Sequence, residues 1–429
     1  MRAQLRWALI VFLATVTVAT FYRAGRITIN LSQALASQSK TIPNILVVSV
    51  CSLRTDLLEA YGHEGESIMP QTDKFIDSSQ FLFERAYNGY TWLSVTAYFT
   101  DQFQRILSAG YASAGSWGAL PFTRIPMLKS LQDPKLEEIN DNDYEKDYKG
   151  FLHVVRSSVL APRLKPFFLL THIKYMHFPL IDRFNSDSEW DHYLSAAQKM
   201  RVADYMAHPE VYYDKLPLLL MLTNNPEFAF AHPKVQNLKL GRDAKAKRAV
   251  TGLVNNAEFL EAWKKSANFA EDLQILRLVY RANARYMDRE ILGPVLNLFG
   301  DKEKQKNTVV VFVGDHGETH MERDQLTHAT SPYDEAVQIP LAVHYPTSWT
   351  RLKKIENQVY LGNVPEVLAR LAERTIEPSD FSKELLRADN TAVPIRDCAA
   401  RMRGLRVEGR YKYVFYPESG ERRLYDLKS

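Results

Sequence analysis

Short, unbroken apolar runs rich in β-branched residues punctuate this chain and predict buried strands. They occupy residues 44–50, 166–172, 308–313 and 339–344, and each is followed by polar or reactive side chains. Runs without alternation are buried on both faces, so they predict a mostly parallel sheet flanked by helices, with its ligand site beyond the strand ends. Residues 273–299 carry Leu276, Val279, Tyr280, Tyr286 and Met287 at helical spacing, and this predicted helix leads into the run at 308 as a crossover would. Residues 185–270 show no strong strand and are rich in Tyr, Trp, Asn and Lys, which reads as an insertion shaping a cleft. Residues 404–428 alternate instead, around a turn at Pro417-Glu418-Ser419-Gly420, and predict a small antiparallel subdomain.

One apolar run is of another kind. Residues 7–22 are uncharged, with Arg2 and Arg6 before them and Arg23 and Arg26 after, the layout of a signal sequence or signal anchor. The run is somewhat shorter than the roughly 20 residues of a full span, but Trp7, Phe21 and Tyr22 suit the membrane interfaces. Ala34-Leu35-Ala36 resembles a cleavage site yet lies far beyond the run, which favours an uncleaved, single-pass inner-membrane anchor. Either way the bulk of the chain is expected in the periplasm. The expected division is an anchor and linker at 1–36, a catalytic domain at 37–350 and the C-terminal subdomain at 351–429.

Composition narrows the reading only a little. With 46% hydrophobic and 24% charged residues among 429, the chain is a folded globular protein. A net charge of +4, from 54 basic and 50 acidic residues without clustering, gives no footprint for nucleic acid. Two cysteines, Cys51 and Cys398, exclude a disulfide scaffold and any CxxC site, although the two could pair with each other.

The sharpest local chemistry is Gly314-Asp315-His316-Gly317-Glu318, where an oxygen and a nitrogen ligand stand side by side at the end of a predicted buried strand. A divalent-cation site and a turn whose Asp caps a helix are both compatible with it. Residues 44–62, ending in Leu53-Arg54-Thr55-Asp56 and Tyr61-Gly62, resemble the opening strand of sulfatases of the alkaline phosphatase superfamily. Met69-Pro70-Gln71-Thr72-Asp73, Phe83-Glu84-Arg85-Ala86-Tyr87, the Asp315-His316 segment and Pro332-Tyr333-Asp334-Glu335-Ala336 resemble further segments of that family, in the family's order. The Arg410-Tyr411-Lys412-Tyr413 tail is similar to its C-terminal ending.

The resemblance implies an alkaline-phosphatase-like α/β fold and a covalent mechanism. It puts Thr91 at the nucleophile position, where a threonine cannot become formylglycine and would instead attack through its own hydroxyl. A Thr that merely caps the following helix is the alternative. The implied metal set is Asp315, His316, Thr91 and Cys51, with Cys51 where the family's first acidic ligand belongs. A thiolate among the ligands favours zinc over calcium or manganese; an inert buried thiol in a decayed site is the other reading. His177 and His328 are the implied acid–base residues, and His172, Lys174 and Ser94 the implied substrate contacts. Leu93, Val95 and Asp101 depart from the family signature. His153, His320 and His344 receive no role. The expected substrate is an anionic phosphate, phosphodiester or sulfate ester of an envelope lipid or glycan, and the alternative is a catalytically silent binding protein.

Overall fold

The computed structural model of the protein describes residues 42–89, 98–99, 102–117, 166–178, 180, 187–223, 227–239, 250, 252–299, 307–328, 332–344, 353–396 and 402–428. The expected anchor at 7–22 lies outside these residues; among the described ones, no helix is long and apolar enough to cross a membrane.

Eight strands form the main sheet: β1 (Asn44–Val50), β2 (Phe81–Tyr87), β3 (Ala112–Trp117), β4 (Phe167–Ile173), β5 (Thr308–Gly314), β6 (Gln338–Ile339), β7 (Leu341–His344) and β8 (Lys353–Tyr360). Their order is β3-β4-β1-β5-β7-β2-β6, with β8 paired to β2. The four strands from β3 to β5 run parallel, and β7 turns against both β5 and β2. The sheet is therefore mixed. The apolar run at 339–344 is interrupted at Pro340, which cannot donate to a ladder, and so forms two short antiparallel strands rather than one.

Alternate residues of the central strands feed two separate cores, as the two-residue period demands. Leu46, Val48, Val50, Val310 and Phe312 face a helical layer that includes helix Phe269–Met287. Ile45, Val47, Val309, Val311 and Val313 face the other side, against helices Val364–Ala372 and Phe381–Arg387. The result is a helix–sheet–helix sandwich. The described part of residues 185–270 is helical and packs into the first of these cores through Leu216–Leu222 and Trp263.

A second, four-stranded antiparallel sheet comprises β9 (Ala392–Arg396), β10 (Arg403–Val407), β11 (Tyr411–Tyr416) and β12 (Glu421–Asp426), in the order β12-β11-β10-β9. Val393, Ile395, Met402 and Val414 close its inner face over Tyr87 and Val337. One carboxylate ties the two sheets together. Asp334 accepts from Lys412 Nζ at 2.7 Å and from Arg406 Nη1 at 2.8 Å, and both cations are buried. Burial pushes the Asp334 carboxyl up, but Lys412 and Arg406 outweigh it and hold the group below its ordinary value. A depressed carboxyl contributes stability above its unfolded pKa, and that contribution disappears as the pH falls through the folded value. Asp334→Ala should cost about 2 kcal/mol in urea unfolding near neutral pH, under the ~3–5 kcal/mol of fully buried pairs because its side chain is 36% exposed. The difference from the parent should shrink in acid.

Candidate metal centre

Because β4, β1 and β5 are parallel neighbours, their carboxyl ends bring three distant segments to one edge. The register pairs Val50 with Ile173 and with Gly314. The ladder then continues one residue further on each side, with Cys51 N donating to Ile173 O at 2.8 Å and Asp315 N to Val50 O at 3.1 Å. Cys51, His172–Lys174 and Asp315–Glu318 thus arrive at one level. Beyond them the chain turns sharply. Ser52 takes a left-handed φ of 58°, a strained choice for a non-glycine residue. Gly317 lies so close to the backbone of Glu335 that a Cβ would stand 2.0 Å from its carbonyl oxygen, so only glycine lets the loop deliver Glu318.

Ligand atoms of Cys51, Asp315 and His316 all lie within 4.8 Å of one another, and all three residues are buried. Asp315 Oδ1 accepts from the backbone N–H of Ser52 at 3.1 Å and of His316 at 2.7 Å. Among the described residues Asp315 Oδ2 has no hydrogen-bond partner, and neither has His172 Nε2, which faces it at 3.5 Å. His172 Nδ1 is engaged by Ser49 Oγ at 3.1 Å, and burial lowers its pKa to about 4. His316 Nδ1 donates to the carbonyl of Gly317 at 2.9 Å, because a carbonyl can only accept. That fixes the tautomer. His316 Nε2 is left as a lone pair, 3.6 Å from both Cys51 Sγ and Asp315 Oδ1. Burial, reinforced by Asp315, pushes the Cys51 thiol up, so in the absence of a cation it stays protonated. A divalent cation fits these residues: it would partner the two orphaned atoms and replace the thiol proton.

Around this cluster stand two further histidines in complementary states. His328 stacks on His316 with ring centroids 3.9 Å apart, and its Nδ1 lies 3.1 Å from Glu318 Oε2. Burial raises the Glu318 carboxyl to about 8, while burial and then His316 push His328 well down. Both directions favour the uncharged forms, in which the Glu318 carboxyl donates to Nδ1 and His328 carries its proton on Nε2. His177 has its ring centroid 5.0 Å from that of His328, and its Nδ1 donates to Phe178 O at 2.5 Å, leaving Nε2 as a base. Lys174, just past β4, adds a positive charge felt by Cys51, His172 and His328.

The structure thus brings together Cys51, Asp315, His316, His172, His328, His177 and Lys174. Thr91 and Ser94 lie outside the described residues. Sequence reasoning gave no role to Glu318, although it belongs to the same motif as Asp315. It also passed over Asn88, whose buried amide donates to the Asp315 carbonyl and accepts from Tyr98. No sequence signal marks Asn88.

Among known structures, BT4656, solved with its substrate D-glucosamine-2-N,6-O-disulfate, is 16% identical over 90% of this chain and 91% of its own, with a TM-score of 0.58. BT1596, a 2-O GAG sulfatase, is 14% identical over 90% and 85%, with a TM-score of 0.56. A phosphonate monoester hydrolase of Agrobacterium radiobacter is 15% identical over 90% and 89%, with a TM-score of 0.51. At such identities the likeness speaks for the fold alone. No curated protein matches the sequence. The family model described as Sulfatase matches residues 108–388, well over half of the chain and including His172, Asp315, His316 and His328, and the protein belongs to the Sulfatase family.

Proposed function

We propose that the protein is a membrane-anchored enzyme of the cell envelope that cleaves or transfers a phosphate, phosphodiester or sulfate ester of an anionic lipid or glycan, using zinc and Thr91. The observation that supports this reading is the convergence of Cys51, Asp315 and His316 beside two buried, unpartnered atoms, Asp315 Oδ2 and His172 Nε2. Thiol, imidazole and carboxylate form a donor set that zinc accepts and that calcium, with its six to eight oxygens, does not. Bound there, the cation would neutralise charge on the ester oxygens and make a neighbouring hydroxyl more acidic.

The chain's own groups supply the proton traffic. In the first half-reaction the Thr91 hydroxyl gives its proton to His177 Nε2 and bonds to phosphorus or sulfur. The bond to the leaving alcohol breaks, and that oxygen takes the proton from His328 Nε2. In the second half, water or an acceptor hydroxyl returns a proton to His328 and displaces Thr91, which recovers its proton from His177. Glu318 positions His328 for both steps.

Purified full-length protein should carry close to one zinc per chain and turn over an activated aryl phosphodiester or aryl sulfate. Thr91→Ala should lower that rate by about 10³-fold or more. Protein that holds no metal and shows no turnover would sink the enzyme reading and leave a silent binding protein, which the substitution of Cys51 for an acidic ligand otherwise favours; turnover indifferent to Thr91→Ala would sink the role of Thr91.

A further inference from the structure

A cleft of about 250 Å³ opens beside the loop that leaves β1. Tyr280 forms the wall between them: its hydroxyl donates to Ser52 O and accepts from Arg54 N. Three guanidinium groups line the cleft, from Arg54, Arg277 and Arg281, together with two carboxylates, from Asp56 and Glu322. Arg54 is committed to Asp56, Glu322 and the Glu318 carbonyl. Arg277 donates to His320 O at 3.0 Å and stays 3.8 Å from Glu322. Arg281 is exposed and, among the described residues, makes no ion pair or hydrogen bond, so the cleft carries one uncompensated positive charge. At its side sits His320, only 3% exposed, whose Nε2 has no hydrogen-bond partner among the described residues.

A buried polar atom without a partner is costly unless something fills the place beside it. Here the neighbours say what that something is. Burial and the three arginines keep His320 neutral, and the Tyr280 ring packs edge-on against it at 4.6 Å, holding the imidazole in place. A neutral imidazole can present an N–H at Nε2. Two guanidinium groups and an imidazole N–H on the lining of one cleft make a donor set for an anion and leave a cation no ligand but Glu322 and Asp56, which Arg54 already holds.

We propose that this cleft is a second anion site, distinct from the Cys51 centre, which takes a tetrahedral oxyanion, a sulfate or phosphate group, on Arg281, Arg277 and His320 Nε2. The group is either a free inorganic ion or a second ionised substituent of a polyanionic glycan. Because Arg54 and Tyr280 link the cleft to the Ser52 and Glu318 backbone, its occupant braces the loops that carry the candidate metal ligands.

The test is calorimetric titration of the full-length protein, at low ionic strength in chloride, with inorganic phosphate, inorganic sulfate and a disulfated disaccharide. Saturable binding is expected. Arg281→Gln and Arg277→Gln, both exposed substitutions that leave folding intact, should each weaken it by about tenfold or more. Arg387→Gln, on the helix Phe381–Arg387, should change nothing. Binding must persist in His316→Ala, which removes any anion held at the Cys51 centre. Inorganic ions binding as tightly as the disaccharide marks a free-anion site; the disaccharide alone binding marks a substrate subsite. Absence of saturable binding, or binding lost in His316→Ala and indifferent to both arginine variants, overturns the proposal.

Discussion

Asp315→Asn should fold normally yet release its metal, with retention of the proposed zinc weakened by on the order of 10²-fold or more and ester turnover lost with it. The amide keeps an oxygen for the N–H groups of Ser52 and His316, so the loop geometry survives. What disappears is the charge, and with it the unpartnered Oδ2 that faces His172. Asp315→Ala is a different experiment. It strands two buried N–H groups at about 1–3 kcal/mol each, so melting temperature and metal content should fall together. Cys51→Asp completes the set by restoring an oxygen ligand, and should shift the metal recovered from zinc toward calcium. Elemental analysis and thermal unfolding of the three variants separate the outcomes. An Asp315→Asn protein that keeps its metal would show that the cluster is a hydrogen-bonded turn and nothing more.

The largest stability effect should come from Asp272, far from that cluster. Its carboxylate is fully buried, 2.6 Å from the Lys215 ammonium and 2.6 Å from the Tyr205 hydroxyl that donates to it. Lys215 also donates to Ala267 O at 2.7 Å. Asp272→Ala leaves a buried cation without its counter-charge, which costs about 3–5 kcal/mol. Asp272 further lies in the first turn of helix Phe269–Met287, where a negative charge favours the helix. The double variant Lys215→Met, Asp272→Leu, which removes both charges and keeps the volume, should recover most of the loss. Urea unfolding reads this as a lower midpoint with an unchanged slope for the single variant. Equal losses in single and double variants would show that packing, not charge, holds this junction.

Strands were legible wherever burial on both faces erased alternation: β1 and β5 lie where the runs at 44–50 and 308–313 predict them. Ends were less legible. The helix expected over 273–299 begins four residues earlier, at Phe269, and gives way after Met287 to a wider turn at Asp288–Leu292 ahead of Gly293–Leu296. Backbone conformation at Asn268, with a φ of 65°, sets the start, and apolar spacing carries no trace of it. The convergence of Cys51 with Asp315 and His316 followed from strand ends in a parallel sheet. The Glu318–His328 pairing did not, because it depends on a glycine-only contact between Gly317 and Glu335. Nor did Lys215–Asp272 or the arginine-lined cleft, since long-range charge pairing leaves no periodic mark.

The adjacency of β1 and β5 bears on how the molecule is made. Cys51 and His316 are 265 positions apart, and the residues that separate them include β4 and the helix that packs on the sheet. Closing so long a loop is slow and yields nothing until the strands pair. During synthesis the leading strand therefore waits, half finished, for its neighbour. The proposed ion, held between them, would be a certificate of completion, issued only to chains whose central sheet has closed.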